Sequence, residues 1–193
     1  GAGNLSFLTM GTGMGAGLIL DGRLYAGTTG DAGEVGHVRL APDGPVGFHK
    51  AGSFEGFCSG GGIAQLARRR LATYPGDSVL QQLPLAHLTA ADVGRAAAAG
   101  DDFALKLWSE VGTKLGEALA LLVDVLNPDR IVIGSIYARC ERWIAPAMRA
   151  ALAREALRPS VAACTIVPAA LGDEVGSHAA VAIARYHLTT PPS

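Results

Sequence analysis

Leu8-Thr9-Met10-Gly11-Thr12-Gly13-Met14-Gly15-Ala16-Gly17-Leu18-Ile19-Leu20-Asp21-Gly22-Arg23-Leu24-Tyr25 is the stretch on which the fold turns. A Leu- and Phe-containing apolar run, Asn4 to Met10, enters it and ends in the glycine series Gly11, Gly13, Gly15 and Gly17. Gly17 to Leu20 reads as a second strand, Asp21-Gly22 is a strong hairpin-turn signal, and Arg23 to Tyr25 reads as the returning strand. A dinucleotide-binding fold needs strand, turn, then helix. Strand–glycine turn–strand is a different order, so Gly11-x-Gly13 is no dinucleotide fingerprint.

Working outward, residues 27–59 are rich in Gly, Pro and Asp and show little periodicity, which predicts a long irregular segment of the kind that carries function. Helices dominate afterwards. One is predicted from Ile63 to Thr73, stopped by Pro75-Gly76. A second runs to Ala99, with Thr89 as its cap, Asp92 in the capping-box position and Gly100 ending it. Asp101 caps the longest helix, whose Trp108, Val111, Leu115, Leu119, Leu122 and Leu126 recur at three- and four-residue steps along one face. Asn127-Pro128 stops that helix, and Arg130 to Gly134 reads as a buried strand. A helix from Cys140 to Leu157, a strand from Cys164 to Val167 and a last helix from Gly172 to Tyr186 follow. Val175, Ala179, Ala182, Ile183 and Tyr186 give that last helix an apolar face, which predicts association into a homodimer or a larger assembly. Neither a repeat nor a linker interrupts the chain. The expectation is one α/β lobe with a mixed sheet flanked by helices.

Composition narrows the classes. Sixteen basic residues stand against 17 acidic ones in 193, and 49% of the chain is hydrophobic. That suffices for one core and offers no electrostatic grip on nucleic acid or a membrane surface. Cys58, Cys140 and Cys164 are odd in number and widely spaced, which argues against a disulfide framework and fits a reducing cytoplasm. Leu115 to Leu126, the most apolar stretch, is interrupted by Glu117 and Asp124 and is too short to span a bilayer.

Two groups of residues can carry chemistry. The turn Gly11 to Gly15 lets backbone approach an anion closely, with Thr12 adding a hydroxyl, or it is only a tight hairpin needing positive φ angles. Glu34, His37 and Glu55 suit sugar hydroxyls, each of which both donates and accepts a hydrogen bond, or they are ordinary surface residues. His37 and His49 as metal ligands lack cysteines at ligand spacing.

The order of these segments resembles the ROK family of repressors, open reading frames and kinases. The hairpin resembles the family's phosphate-binding hairpin, and Gly27-x-x-Gly30-x-Ala32-Gly33-Glu34-Val35-Gly36-His37 its sugar loop. Glu55-Gly56-x-x-Ser59-Gly60 is similar to the end of its metal-binding segment. Asn127-Pro128-x-x-Ile131-Val132-Ile133-Gly134 resembles the strand before its adenosine turn, and Leu171-Gly172-Asp173-Glu174-Val175-Gly176 its closing helix.

The resemblance implies an actin-like, ribonuclease H-like ATPase lobe. It also implies that Glu34, His37 and Glu55 bind sugar hydroxyls, that Gly11, Thr12 and Gly13 face nucleotide phosphates, and that Gly134 lies near the adenosine. In the family reaction an aspartate acts as general base on a sugar hydroxyl that attacks the γ-phosphate of Mg-ATP. That aspartate and a first phosphate loop lie ahead of the hairpin, so residues 1–193 correspond to the C-terminal lobe, with the N-terminal lobe absent and no activity expected alone. Zinc is not expected, because Val46, Phe48 and Ser53 stand where the family has Cys-x-Cys…Cys. Ser135 stands at the second glycine of the adenosine turn. A sugar-sensing lobe of a transcriptional repressor is the alternative parent.

Overall fold

The structure is a computed structural model that describes residues 3–172 of the chain. β1 (Leu5–Met10), β2 (Met14–Leu20) and β3 (Arg23–Tyr25) form an antiparallel meander. Pairing of Met10 with Met14 leaves Gly11, Thr12 and Gly13 as the first loop. Pairing of Leu20 with Arg23 leaves Asp21-Gly22, both at positive φ (50° and 74°), the two-residue turn whose twist suits antiparallel strands.

Residues 27–59 are more ordered than their composition suggests. They contain a 3₁₀ turn (Val35–His37), a small hairpin of β4 (Val46–Gly47) with β5 (Lys50–Ala51), and α1 (Phe54–Cys58). Periodicity needs a longer window than any of these pieces offers. Ser53 caps α1, its hydroxyl accepting from Gly56 N at 3.1 Å. Ser59 caps α2 (Gly60–Leu71) in the same way through Gly62 N, so that helix begins three glycines earlier than its apolar pattern indicates.

The capping signals read from sequence locate the next two helices. Thr89 and Asp92 form a reciprocal capping box on α3 (Ala90–Ala98), and the Asp101 carboxylate accepts from Ala104 N at 2.9 Å to start α4 (Asp102–Leu126). Asn127 ends α4 in a left-handed conformation. Trp108, Val111, Leu115 and Leu119 are buried as expected. Beyond them the buried stripe moves to Val123, leaving Leu122 and Leu126 only half-covered.

β6 (Arg130–Ile133) lies parallel beside β1, and β7 (Thr165–Pro168) parallel beside β6, giving the sheet order β3-β2-β1-β6-β7. α5 (Ile136–Glu155) starts four residues earlier than predicted, because Ser135 turns the chain directly from β6 into helix. α6 (Arg158–Ala163), unread in the sequence, has Pro159 near its start, and Leu157 N donates to Asp124 Oδ1 at 3.0 Å. The closing helix predicted from Gly172 to Tyr186 lies outside the described residues. None of the described helices is long and apolar enough to cross a membrane.

α4 and α5 approach closely through Gly112 and Gly116, one helical turn apart. A Cβ on Gly112 would lie 2.5 Å from the Ile144 carbonyl oxygen, and one on Gly116 would lie 2.7 Å from Ala151 Cβ and closer still to the Met148 carbonyl. Alanine at position 116 gains about 1 kcal/mol of helix propensity but meets rigid backbone, and overpacking of that kind costs about 1–3 kcal/mol. Gly116→Ala is therefore expected to lower the urea midpoint at unchanged m-value. A raised midpoint would mean the helices separate freely.

Candidate functional site

The glycine hairpin is gripped from two sides. At its β2 end, Met14 N donates to Glu55 Oε2 at 3.0 Å, from the first turn of α1. At its β1 end, Gly60 N donates to Gly11 O at 2.8 Å, from the first residue of α2. Gly13 lies under the Glu55 carboxylate, where a Cβ would sit 3.1 Å from Oε2. Neither Gly11 nor Gly13 has positive φ. The tight-turn explanation thus fails for both; at Gly13 it is replaced by one of space, whereas a Cβ on Gly11 would make only ordinary contact with Ser135, at 3.6 Å.

The segment carrying Glu34 and His37 is zipped to the same strand. Ala16 N donates to Gly33 O at 2.7 Å, and Gly36 is pressed against the Met14 carbonyl and the Glu55 side chain, with no room for a Cβ. Glu34 precedes and His37 closes the 3₁₀ turn, so Glu34, His37 and Glu55 come from two segments that converge on the start of β2. Glu34 is exposed, whereas His37 and Glu55 are half-buried. The two segments thus bring two carboxylates and an imidazole to neighbouring stretches of chain, groups that suit sugar hydroxyls.

Gly11 and Thr12 of the hairpin border a cavity of about 1120 Å³. Gly11, Thr12, Gly60 and Gly61 line it together with Ser135, Ile136 and Arg139 at the start of α5, and a Cβ on Gly11 would lie 3.6 Å from the Ser135 hydroxyl. Gly13 and Gly134 do not line it; Gly134 instead holds the sheet together, its N–H donating to Leu8 O at 2.9 Å. Ser135 sits at φ 55°, ψ −113°, a conformation that strains any residue but glycine, and it leaves the start of α5 without a side-chain cap. Strain of this kind persists where the surroundings impose it, commonly at ligand sites.

The electrostatics of the cavity are one-sided. Arg68, Arg95, Arg139 and His87 line it, and among the described residues no Asp or Glu does. Arg95 is paired with Asp92, while Arg68 gives one amine to the Leu88 carbonyl at 3.3 Å and has no carboxylate partner among the described residues; nor has Arg139. Guanidinium groups beside an uncapped helix start suit an anion, and the space suits a ligand of nucleotide size. Sequence reasoning missed all four of these residues. They come from α2, α3, the loop before α3 and α5, and no spacing along the chain connects them.

The residues at the family's zinc positions do not suit the metal. The Ser53 hydroxyl is engaged as the α1 cap, Phe48 turns an aromatic edge to the His37 ring at 4.8 Å, and Val46 offers only hydrocarbon. Cys58, though near in sequence, is fully buried, and burial pushes its thiol well above its ordinary range, away from the thiolate a metal needs.

Comparison with known proteins identifies the class. The ROK family profile matches residues 1–187, and the chain belongs to that family. It is 39% identical over 141 residues to a glucokinase of Halalkalibacterium halodurans, covering 69% of this chain and 42% of that one. It is 29% identical over 147 residues to the DNA-binding transcriptional dual regulator NagC of Escherichia coli, covering 76% of this chain and 35% of the regulator. Among solved structures, a ROK family glucokinase from Streptomyces griseus in complex with glucose and AMPPNP superposes with a TM-score of 0.80 at 27% identity, over 96% of this chain and 61% of that one. The chain thus spans less than half the length of the two sequence relatives, and its mixed sheet flanked by helices is the actin-like fold of the ROK sugar kinases.

Removing the Glu55 carboxylate tests the grip on the hairpin. Glu55→Ala strands the Met14 amide, and an amide left without its acceptor costs about 1–3 kcal/mol. Its hydrogen exchange is expected to speed by roughly tenfold or more, while Glu55→Gln, which keeps an acceptor oxygen, retains most of the protection. Equal exchange in wild type and Glu55→Ala contradicts the assignment.

Proposed function

We propose that residues 1–193 form the sugar- and nucleotide-binding lobe of an ATP-dependent sugar kinase that transfers phosphoryl to a sugar hydroxyl. One observation carries this: the Glu55 carboxylate grips the β2 end of a glycine hairpin whose Gly11 and Thr12 line an arginine-bearing cavity that, among the described residues, no carboxylate lines. A phosphoryl transferase must hold its acceptor hydroxyl and its nucleotide close and in fixed orientation, and a rigid element reaching both serves that need.

In this reading Glu34, His37 and Glu55 orient the sugar hydroxyls. Glu55 keeps Oε1 for that task, since Oε2 holds Met14. Gly11 and Thr12, which line the cavity, present backbone and a hydroxyl to the phosphates of ATP, with Gly13 completing the loop behind them. Ser135 shapes the adenosine end, set in place by Gly134 before it, with Arg68 and Arg139 meeting negative charge. Magnesium arrives with the nucleotide and neutralises charge that develops during transfer. The general base is the aspartate that the family places ahead of the hairpin, so residues 1–193 alone bind ligands without turning them over. The protein works in the cytoplasm as a homodimer or larger assembly, and this lobe holds neither nucleic acid nor membrane.

The effector lobe of a sugar-responsive repressor is the second reading, favoured by the similarity to NagC. The higher identity to the glucokinase favours the kinase.

Calorimetry with AMPPNP checks the cavity directly. Wild type is expected to bind, and Arg139→Glu to bind at least tenfold more weakly, with an unchanged unfolding midpoint. Undiminished binding by the variant removes the phosphate role from this wall. Separately, the chain of residues 1–193 is expected to show no ATP turnover with a panel of hexoses and amino sugars. Turnover at an ordinary kinase rate would place a general base within these residues.

A further inference from the structure

Phe48 is 68% exposed, large and apolar, and it occupies the least favourable backbone for such a residue. Gly47 pairs with Lys50, so Phe48 and His49 are the two central residues of the β4–β5 turn, at φ 43° and 62°. Two consecutive left-handed residues define a turn that normally takes Asn-Gly, and each non-glycine residue held there costs about 1 kcal/mol or more. Something in the folded loop must hold them. The Phe48 ring stands edge-on to the His37 imidazole at a centroid distance of 4.8 Å and an interplanar angle of 77°.

The rest of the loop is pinned by hydrogen bonds from its neighbours. The Gln65 carboxamide grips Val46 at both ends, Oε1 accepting from Val46 N at 3.0 Å and Nε2 donating to Val46 O at 2.9 Å. This pairs the outer edge of β4 as another strand would. Ser53 Oγ lies 3.4 Å from the Gly47 carbonyl while capping α1. Lys50 Nζ donates to the His37 carbonyl and Arg39 Nη1 to the Ala51 carbonyl, both at 2.7 Å. Thus the three positions where the family carries thiolates are the ones re-used: Val46 through its backbone, Phe48 through its ring and Ser53 through its hydroxyl.

We infer that residues 46–53 form a metal-independent clasp, in which the Phe48 ring fixes the His37 imidazole and Gln65 fixes the strand beside it. Phe48 is a positioning residue, acting on the sugar side only through His37. The inference stands whether or not the parent protein is a kinase, because its readouts are metal content, hydrogen exchange and the His37 ring signals.

The test uses the purified chain grown with added zinc. Elemental analysis is expected to find far less than one zinc per chain, and a chelator to leave the unfolding midpoint unmoved. Stoichiometric zinc, or a midpoint lowered by chelator, overturns the inference. By NMR, Phe48→Ala is expected to shift the His37 ring protons through loss of the aromatic ring current and to speed exchange of the Lys50 amide several-fold. Phe48→Leu, which keeps bulk should the smaller variant fail to fold, is expected to shift the same protons with a smaller change in exchange. Gln65→Ala is expected to speed exchange of the Val46 amide about tenfold. His37 ring signals that do not move in the folded Phe48 variants overturn the positioning role.

Discussion

The Glu55 carboxylate on the Met14 amide is the contact through which the two halves of the site are joined. Glu55 belongs to a helix of five residues, too short to be stable alone, and Met14 opens the second strand of the sheet. Their hydrogen bond fixes α1 against the hairpin. Because α2 follows after Ser59, it also brings Gly60 to the Gly11 carbonyl. The loop Gly11-Thr12-Gly13 is therefore held at both ends before any ligand arrives. In the proposed reading, such a preorganised loop needs no reordering when it meets phosphate.

Close approach explains several of the glycines: Gly13 lies under Glu55 and Gly36 against Met14, while Gly33, against Ala16, is also at a positive φ of 101°. The same economy of space recurs between α4 and α5 at Gly112 and Gly116, where the long helix that backs the sheet meets the helix that starts at the cavity. The strained Ser135 lies at the head of that second helix, so α4 packing positions the cavity wall from behind. Site and core are one mechanical unit here.

Much of this was legible in the sequence, and the reasons differ by element. Thr89, Asp92 and Asp101 announce their helices because caps are local chemistry. The Asp21-Gly22 turn is local as well. The order of glycine hairpin, Glu34-x-x-His37 and Glu55 pointed to the family that the profile confirms. What stayed hidden is long-range or short. β4, β5 and α1 are too brief to leave a period, and the start of α5 depends on a positive φ at a serine, which no propensity favours. Arg68, Arg95 and Arg139 look like ordinary helix-surface charges until α2, α3 and α5 are brought to one cavity.

In the proposed reading one rigid hairpin serves both a sugar and a nucleotide. Hydrogen exchange of the chain with and without AMPPNP tests it most directly. Added protection is expected at Gly11, Thr12, Ser135, Ile136 and Arg139, which line the cavity, with the Met14 amide already protected in the free protein. Binding of AMPPNP that protects none of these cavity residues, or a Met14 amide that exchanges freely until ligand arrives, would contradict it.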